Sequence, residues 1–218
     1  MAVGTNLEGM KRYGIRTENA LGVSLPKLRK LAESTGKNHE IALGLWKTGI
    51  HEAQILAALV DVPAEVTEAQ MDRWVHDFDS WDVCDTCCAN LLDKTRFAYS
   101  KAIEWSGEEQ EFVKRAGFAL MAALAVHDKR QTDEAFTSFL PCILRGATDE
   151  RNFVRKAVNW ALRQVGKRNL TLNKEAIRVA REMQKADNRA ARWVAADALR
   201  ELNSPSVQER LRQRARRR

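Results

Sequence analysis

The sequence predicts an all-α fold, an array of stacked helix pairs. Three observations carry this. Apolar residues recur at three- and four-residue spacing along most of the chain, the mark of helices with one buried face. No convincing alternating strand and no long linker interrupts them. One helical segment also repeats. E-F-V-K-R-A-G-F-A-L-M-A-A-L and N-F-V-R-K-A-V-N-W-A-L-R-Q-V superimpose with Phe112 on Phe153, a shift of 41 residues, and A-R-W-V-A-A-D-A-L-R-E-L sets Ala198 on Ala161, a shift of 37. Periods near 40 with two helices per unit indicate HEAT-type repeats, each stacking on its neighbours because it cannot bury its own apolar face. The expectation is a HEAT-like helical repeat solenoid with a concave basic groove, residues 1–218 forming a single repeat domain and 204–218 a basic C-terminal tail.

Capping signals set the elements in order. Ser24 caps a helix with Pro26 in its first turn and Gly36 at its end; Asn38 opens the next, closed near Gly49. Thr67-Glu-Ala-Gln70 is a capping box leading into M-D-R-W-V-H-D-F. A helix carries D-S-W-D-V-C-D-T-C-C-A-N-L-L, and further helices read over about 96–105, 108–126, 133–144, 150–165, 173–185 and 189–202. Gly166 is expected as a C-cap, and Pro141 is expected to end or kink its helix.

Composition narrows the class. The 218 residues are 44% hydrophobic and 30% charged, enough to bury a sizeable core. No apolar run reaches the roughly 18 residues of a membrane span, and Met1 to Tyr13 lacks the pattern of a secretory signal. A cytoplasmic monomer that does not engage membranes is expected. Cys84, Cys87 and Cys88 crowd one helix and Cys142 stands alone, which is no disulfide framework. Cys84-x-x-Cys87 has neither a second CxxC, nor a His at ligand spacing, nor a preceding strand, so a small apolar core role outweighs a redox or zinc site.

The net charge is +7. Lys114 and Arg115, Arg155 and Lys156, Lys167 and Arg168, Arg189 and Arg192, and the terminal Q-E-R-L-R-Q-R-A-R-R-R concentrate it. Recurrence at equivalent repeat positions favours a stripe that follows a phosphate backbone over scattered solvated faces.

The most informative stretch is Asp79 to Leu92. Cys84, Cys87, Cys88, Leu91 and Leu92 form its buried stripe, and Trp81 and Asp85, at i and i+4, lie together on the edge beside it. Trp81 could simply close the edge of the core, Asp85 could be a solvated helix acid, and Trp160, one position from its own apolar stripe, could be core.

Trp81-Asp-Val-Cys-Asp85, F-V-R-K-A-V-N-W-A-L-R at 153–163, F-V-K-R-A-G-F at 112–118 and A-L-G-V-S-L-P-K-L-R at 20–29 together resemble the DNA alkylation repair family, the AlkD-type alkylpurine DNA glycosylases, in one order over nearly the whole chain. The resemblance implies a HEAT-like solenoid that cradles double-stranded DNA and hydrolyses the bond between deoxyribose and an N3- or N7-alkylated purine, with no metal or cofactor. It implies Asp85 as the catalytic carboxylate, Trp81 and Trp160 as indoles contacting the nucleotide that carries the lesion, and Arg115 as a DNA-contacting arginine. Tyr13 matches an active-site tyrosine. Lys156, Lys167 and Arg168 join the DNA-binding set as stripe cations. The short run before Tyr13 suggests that part of the family's N-terminal helical region is missing.

The chemistry stands without the family. A cationic alkylpurine leaves as a neutral base and needs no general acid, so one carboxylate suffices where ordinary glycosidases use two. Electron-rich indoles attract the developing positive charge. Two rival functions share the scaffold: a non-catalytic binder of DNA structures, and a protein-interaction solenoid.

Overall fold

The computed structural model describes residues 4–216. Outside them lie the first three residues of the segment read for a secretory signal and the last two arginines of the basic tail. Among the described residues every regular element is helical, and no helix is long and apolar enough to cross a membrane. The chain forms two compact units, one ending at Ala98 and one beginning at Tyr99.

The first unit contains α1 (Gly4–Arg12), α2 (Leu25–Thr35), α3 (His39–Lys47), α4 (His51–Val60), α5 (Glu68–His76), α6 (Trp81–Asn90) and a 3₁₀ turn at Leu92–Lys94. Ser24 stands at the N-cap position of α2 but its side chain makes no capping hydrogen bond, whereas Asn38 and Thr67 cap as predicted. The Asn38 side chain accepts from the Ile41 amide at 2.9 Å, and Thr67 Oγ1 accepts from the Gln70 amide at 3.1 Å. The predicted capping box is only half used, because Gln70 Nε2 donates instead to the buried Asp61 carboxylate at 2.8 Å. Gly36, at φ 74°, ends α2 in a conformation that side chains resist. Helix α4 packs against α2, α3 and α6, and eight of its ten residues are buried. Enclosed on so many sides, it carries no amphipathic stripe, which is why periodicity leaves 51–60 unassigned. Trp46 and Trp74 stack at 3.8 Å between ring centroids, and the Trp46 indole donates to Asp77.

The second unit takes up α7 (Ala98–Ser106) from its second residue and continues through α8 (Glu111–His127), α9 (Asp133–Thr137), α10 (Leu140–Gly146), α11 (Asn152–Gly166), α12 (Leu170–Gln184), α13 (Arg189–Leu202) and α14 (Pro205–Arg216). Helix α11 packs on α8 and α13, and α12 on α13. The 41-residue repeat is visible as contact: Phe112 and Phe153, equivalent in sequence, lie 5.5 Å apart between ring centroids. Pro141 neither kinks nor ends a helix. It sits in the first turn of α10, where its missing amide hydrogen costs nothing, and the span 133–144 is split before it. Gly166 has no positive φ. It is small because a Cβ there would come within 2.8 Å of Leu202 Cδ2 and 2.9 Å of Ala176 Cβ. The basic C-terminal run is a docked helix through Arg216: Val207 and Leu211 are buried, and Gln208 Nε2 bonds Asn173 Oδ1 and the Leu202 carbonyl at 3.0 and 2.7 Å.

Candidate functional site

Helix α6 begins after the extended Ser80 and presents Trp81 as its first residue. Val83, Cys84, Cys87 and Cys88 are fully buried, as are Leu91 and Leu92 beyond, so the apolar stripe faces the core as the spacing predicts. Burial pushes the Cys87 and Cys88 thiols well above their usual range. That suppresses the thiolate which redox or zinc chemistry at Cys84-x-x-Cys87 would need. Trp81 and Asp85 flank this stripe one turn apart, both half-buried. The Trp81 indole is held in place, its Nε1–H donating to the Tyr13 carbonyl at 3.0 Å. Tyr13 as a whole is 73% exposed, and it is the tyrosine's backbone carbonyl that accepts this hydrogen bond.

Trp81 stands at the wall of a recess of about 540 Å³, lined on its apolar side by Met10, Ile15, Leu25, Leu28 and Ile55. Its polar side includes three residues that sequence reasoning did not single out, Glu52, His51 and Asp82. The buried Glu52 carboxylate gathers the amides of Leu21, Gly22 and Val23 at 2.8, 2.7 and 3.2 Å, which fixes the loop between α1 and α2. His51 Nε2, also buried, bonds Asp82 Oδ2 at 2.9 Å. Asp82 Oδ1 is buried with no hydrogen-bond partner among the described residues. His51 and Asp82 are 31 residues apart on different helices, and no local pattern could have paired them.

The pair ties the first turn of α6 to α4, and the His51 imidazole titrates. Burial lowers the His51 pKa, but the Asp82 hydrogen bond and the charges of Asp82, Glu52 and Asp79 outweigh it, and the net shift is upward from 6.5. A group whose folded pKa is raised contributes stability that is fully present below its unfolded pKa and is lost as pH rises through the folded one. Thermal unfolding should therefore show the first unit losing stability as pH climbs above about 6.5. His51→Gln should flatten that dependence, whereas an unchanged pH profile in the variant would remove His51 as its source.

In the second unit Trp160 is half-buried on α11 rather than enclosed in the core. Its neighbours are tethered to α13: Asn159 Nδ2 donates to Asp197 at 2.7 Å, and Arg163 Nη1 to Glu201 at 2.6 Å. The expected DNA-binding cations divide sharply. Lys156 is exposed. Arg115 is buried, its guanidinium donating to the Phe153 carbonyl at 2.7 Å and so joining α8 to α11. Lys167 pairs with Glu201 at 2.5 Å. Arg168 donates to the carbonyls of Ala125 and Asp128 at 2.8 and 2.7 Å and lies 3.6 Å over the Phe136 ring. Arg115 and Arg168 therefore have scaffold work that replacement by alanine would disturb, so loss of DNA binding on such a change would not by itself report a phosphate contact.

The fold so described is that of the HEAT-like repeat proteins. A solved structure described as "A new family of proteins related to the HEAT-like repeat DNA glycosylases with affinity for branched DNA structures" superimposes with a TM-score of 0.75 at 20% identity, covering 92% of this chain and 90% of that one. A designed armadillo repeat protein aligns at 15% identity over 81% of this chain and 92% of its own, with a TM-score of only 0.37. No curated protein matches the chain significantly. The profile of the family described as DNA alkylation repair enzyme matches residues 3–205, and the chain belongs to that family.

Proposed function

We propose that this protein is a DNA glycosylase that hydrolyses the N-glycosidic bond of cationic N3- or N7-alkylated purines in duplex DNA. The observation that carries the reading is the Trp81/Asp85 edge of α6, an indole fixed by its hydrogen bond to Tyr13 with a carboxylate one turn along on the same helix face. Asp85 would stabilise the oxocarbenium-like sugar and orient the attacking water, and Trp81 would offer its π face to the developing charge. Trp160 is proposed to contact the nucleotide that carries the lesion. Tyr13, Arg115, Lys156, Lys167 and Arg168 remain the proposed DNA-binding set. Lys156 has the most accessible charge among its cations, and Arg115 and Arg168 act first through the scaffold.

A second reading is a non-catalytic binder of DNA structures, favoured by the affinity for branched DNA ascribed to the HEAT-like relative at 20% identity. Incubation with methylated duplex DNA separates the two. Release of 7-methylguanine or 3-methyladenine above the spontaneous rate is expected. Tight binding to four-way junctions with no base release would establish the binder instead.

A further inference from the structure

A cleft of about 1060 Å³ opens in the second unit between α14 and the segment that follows α8. Six cations line it: Lys129 and Arg130 from that segment, Lys167 and Arg168 from the end of α11, and Arg210 and Arg214 from α14. Its acidic lining is Asp133, whose Oδ1 is occupied by the Asn169 side chain at 2.7 Å. Two of the six are balanced locally, Lys167 by Glu201 and Arg168 by the charge of Asp128. The other four have no carboxylate partner among the described residues. Lys129 and Arg214 bond only the neutral carbonyls of Val126 and Lys167, which leaves their charge uncancelled. Arg130 and Arg210 are exposed. These cations are close enough to act on one another: after burial, repulsion from Arg168 and Arg214 holds the Lys129 pKa down.

Such a cluster is costly to an isolated protein and is relieved by an anion. The architecture holds it open. Leu211 and Val207 anchor α14, and the i, i+4 spacing of Arg210 and Arg214 turns both guanidinium groups to one face of the helix. Arg130 approaches from the opposite wall, its loop fixed by Asp128 Oδ1 accepting from the Arg130 and Gln131 amides at 3.0 and 3.1 Å. Cations on two separate elements facing an open trough match a chain of phosphates better than one compact anion.

We propose that this cleft binds the phosphodiester backbone of duplex DNA through Arg130, Arg210 and Arg214. The proposal rests on the reading that the protein works on DNA. It goes beyond that reading in placing a contact on α14, which starts where the family match ends at residue 205.

The test is an anisotropy titration of a short unmodified duplex with full-length wild type and with an Arg130→Gln, Arg210→Gln, Arg214→Gln variant at several salt concentrations. Glutamine keeps helix propensity, and circular dichroism checks the fold. Loss of three phosphate contacts should make the slope of log affinity against log salt shallower by about 2.7, at about 0.9 per contact. If the triple variant does not fold, Arg130→Gln alone, in an exposed loop, should lower the slope by about 0.9. An unchanged slope overturns the proposal, as does a wild type that does not bind duplex. Binding of an oligoglutamate peptide that the variant loses, with duplex binding unaltered, would make the partner an acidic protein and overturn it too. Base release is read separately. A slope change without excision by wild type keeps the cleft and discards the glycosylase, while excision with an unchanged slope does the reverse.

Discussion

Asp85→Asn should reduce release of methylated purines by at least about a hundredfold while duplex affinity changes little. The substitution keeps size and hydrogen-bonding capacity and removes only the negative charge, and a hundredfold is the scale of losing one preorganised electrostatic group. Single-turnover release from methylated duplex, with anisotropy for binding, measures both quantities. Excision at the wild-type rate would take Asp85 out of the mechanism. Loss of affinity in parallel with rate would mean that the carboxylate supports DNA binding rather than the chemical step.

The largest effect on stability is expected at Gly117. Within a helix, glycine to alanine normally gains about 1 kcal/mol. Here a Cβ would lie 2.4 Å from the Ser106 amide nitrogen and 2.8 Å from both Ser106 Cα and the Trp105 carbonyl carbon, backbone atoms of α7 that cannot swing aside. Overpacking of this kind costs about 1–3 kcal/mol and occasionally more; because the obstruction is backbone, the cost falls at the upper end and the net loss should be about 2 kcal/mol or greater. That corresponds to a fall in Tm of about 4–8 °C. Gly44 on α3 is the internal contrast, since its side is open with nothing within 4 Å. Gly44→Ala should be neutral or stabilising by up to about 1 kcal/mol. Equal melting temperatures for wild type and Gly117→Ala would show that α7 can yield.

Gly117 also shows how far the sequence could be read. Superposing the repeats puts Gly117, Val158 and Ala195 at one position, and all three are buried. The pattern reports a core position; it does not report that α7 crosses there too closely for a side chain. Elements with one wet face announce themselves, as α6, α11 and α13 do. Helix α4 does not, being enclosed, and α14 hides its two buried residues, Val207 and Leu211, among arginines. The same limit governs the candidate site. The i, i+4 edge of Trp81 and Asp85 is a local property and legible in the sequence. The His51–Asp82 pair, and the fate of Arg115, Lys167 and Arg168 as internal ties, depend on partners 31 to 43 residues away, which residue type alone does not name.

Five ties in the second unit share a spacing. Arg115 reaches Phe153, Arg151 reaches Glu109, Asn159 reaches Asp197, Asn169 reaches Asp133, and Asn188 reaches Thr148, spans of 36 to 42 residues that each approximate one repeat. In these five, donor and acceptor lie about one repeat apart, so each such joint is a bolt carried by one segment and a socket carried by the next. A tandem duplication inserted in register would bring both halves of the joint with it, and the array could lengthen by whole segments without any new fastening having to evolve.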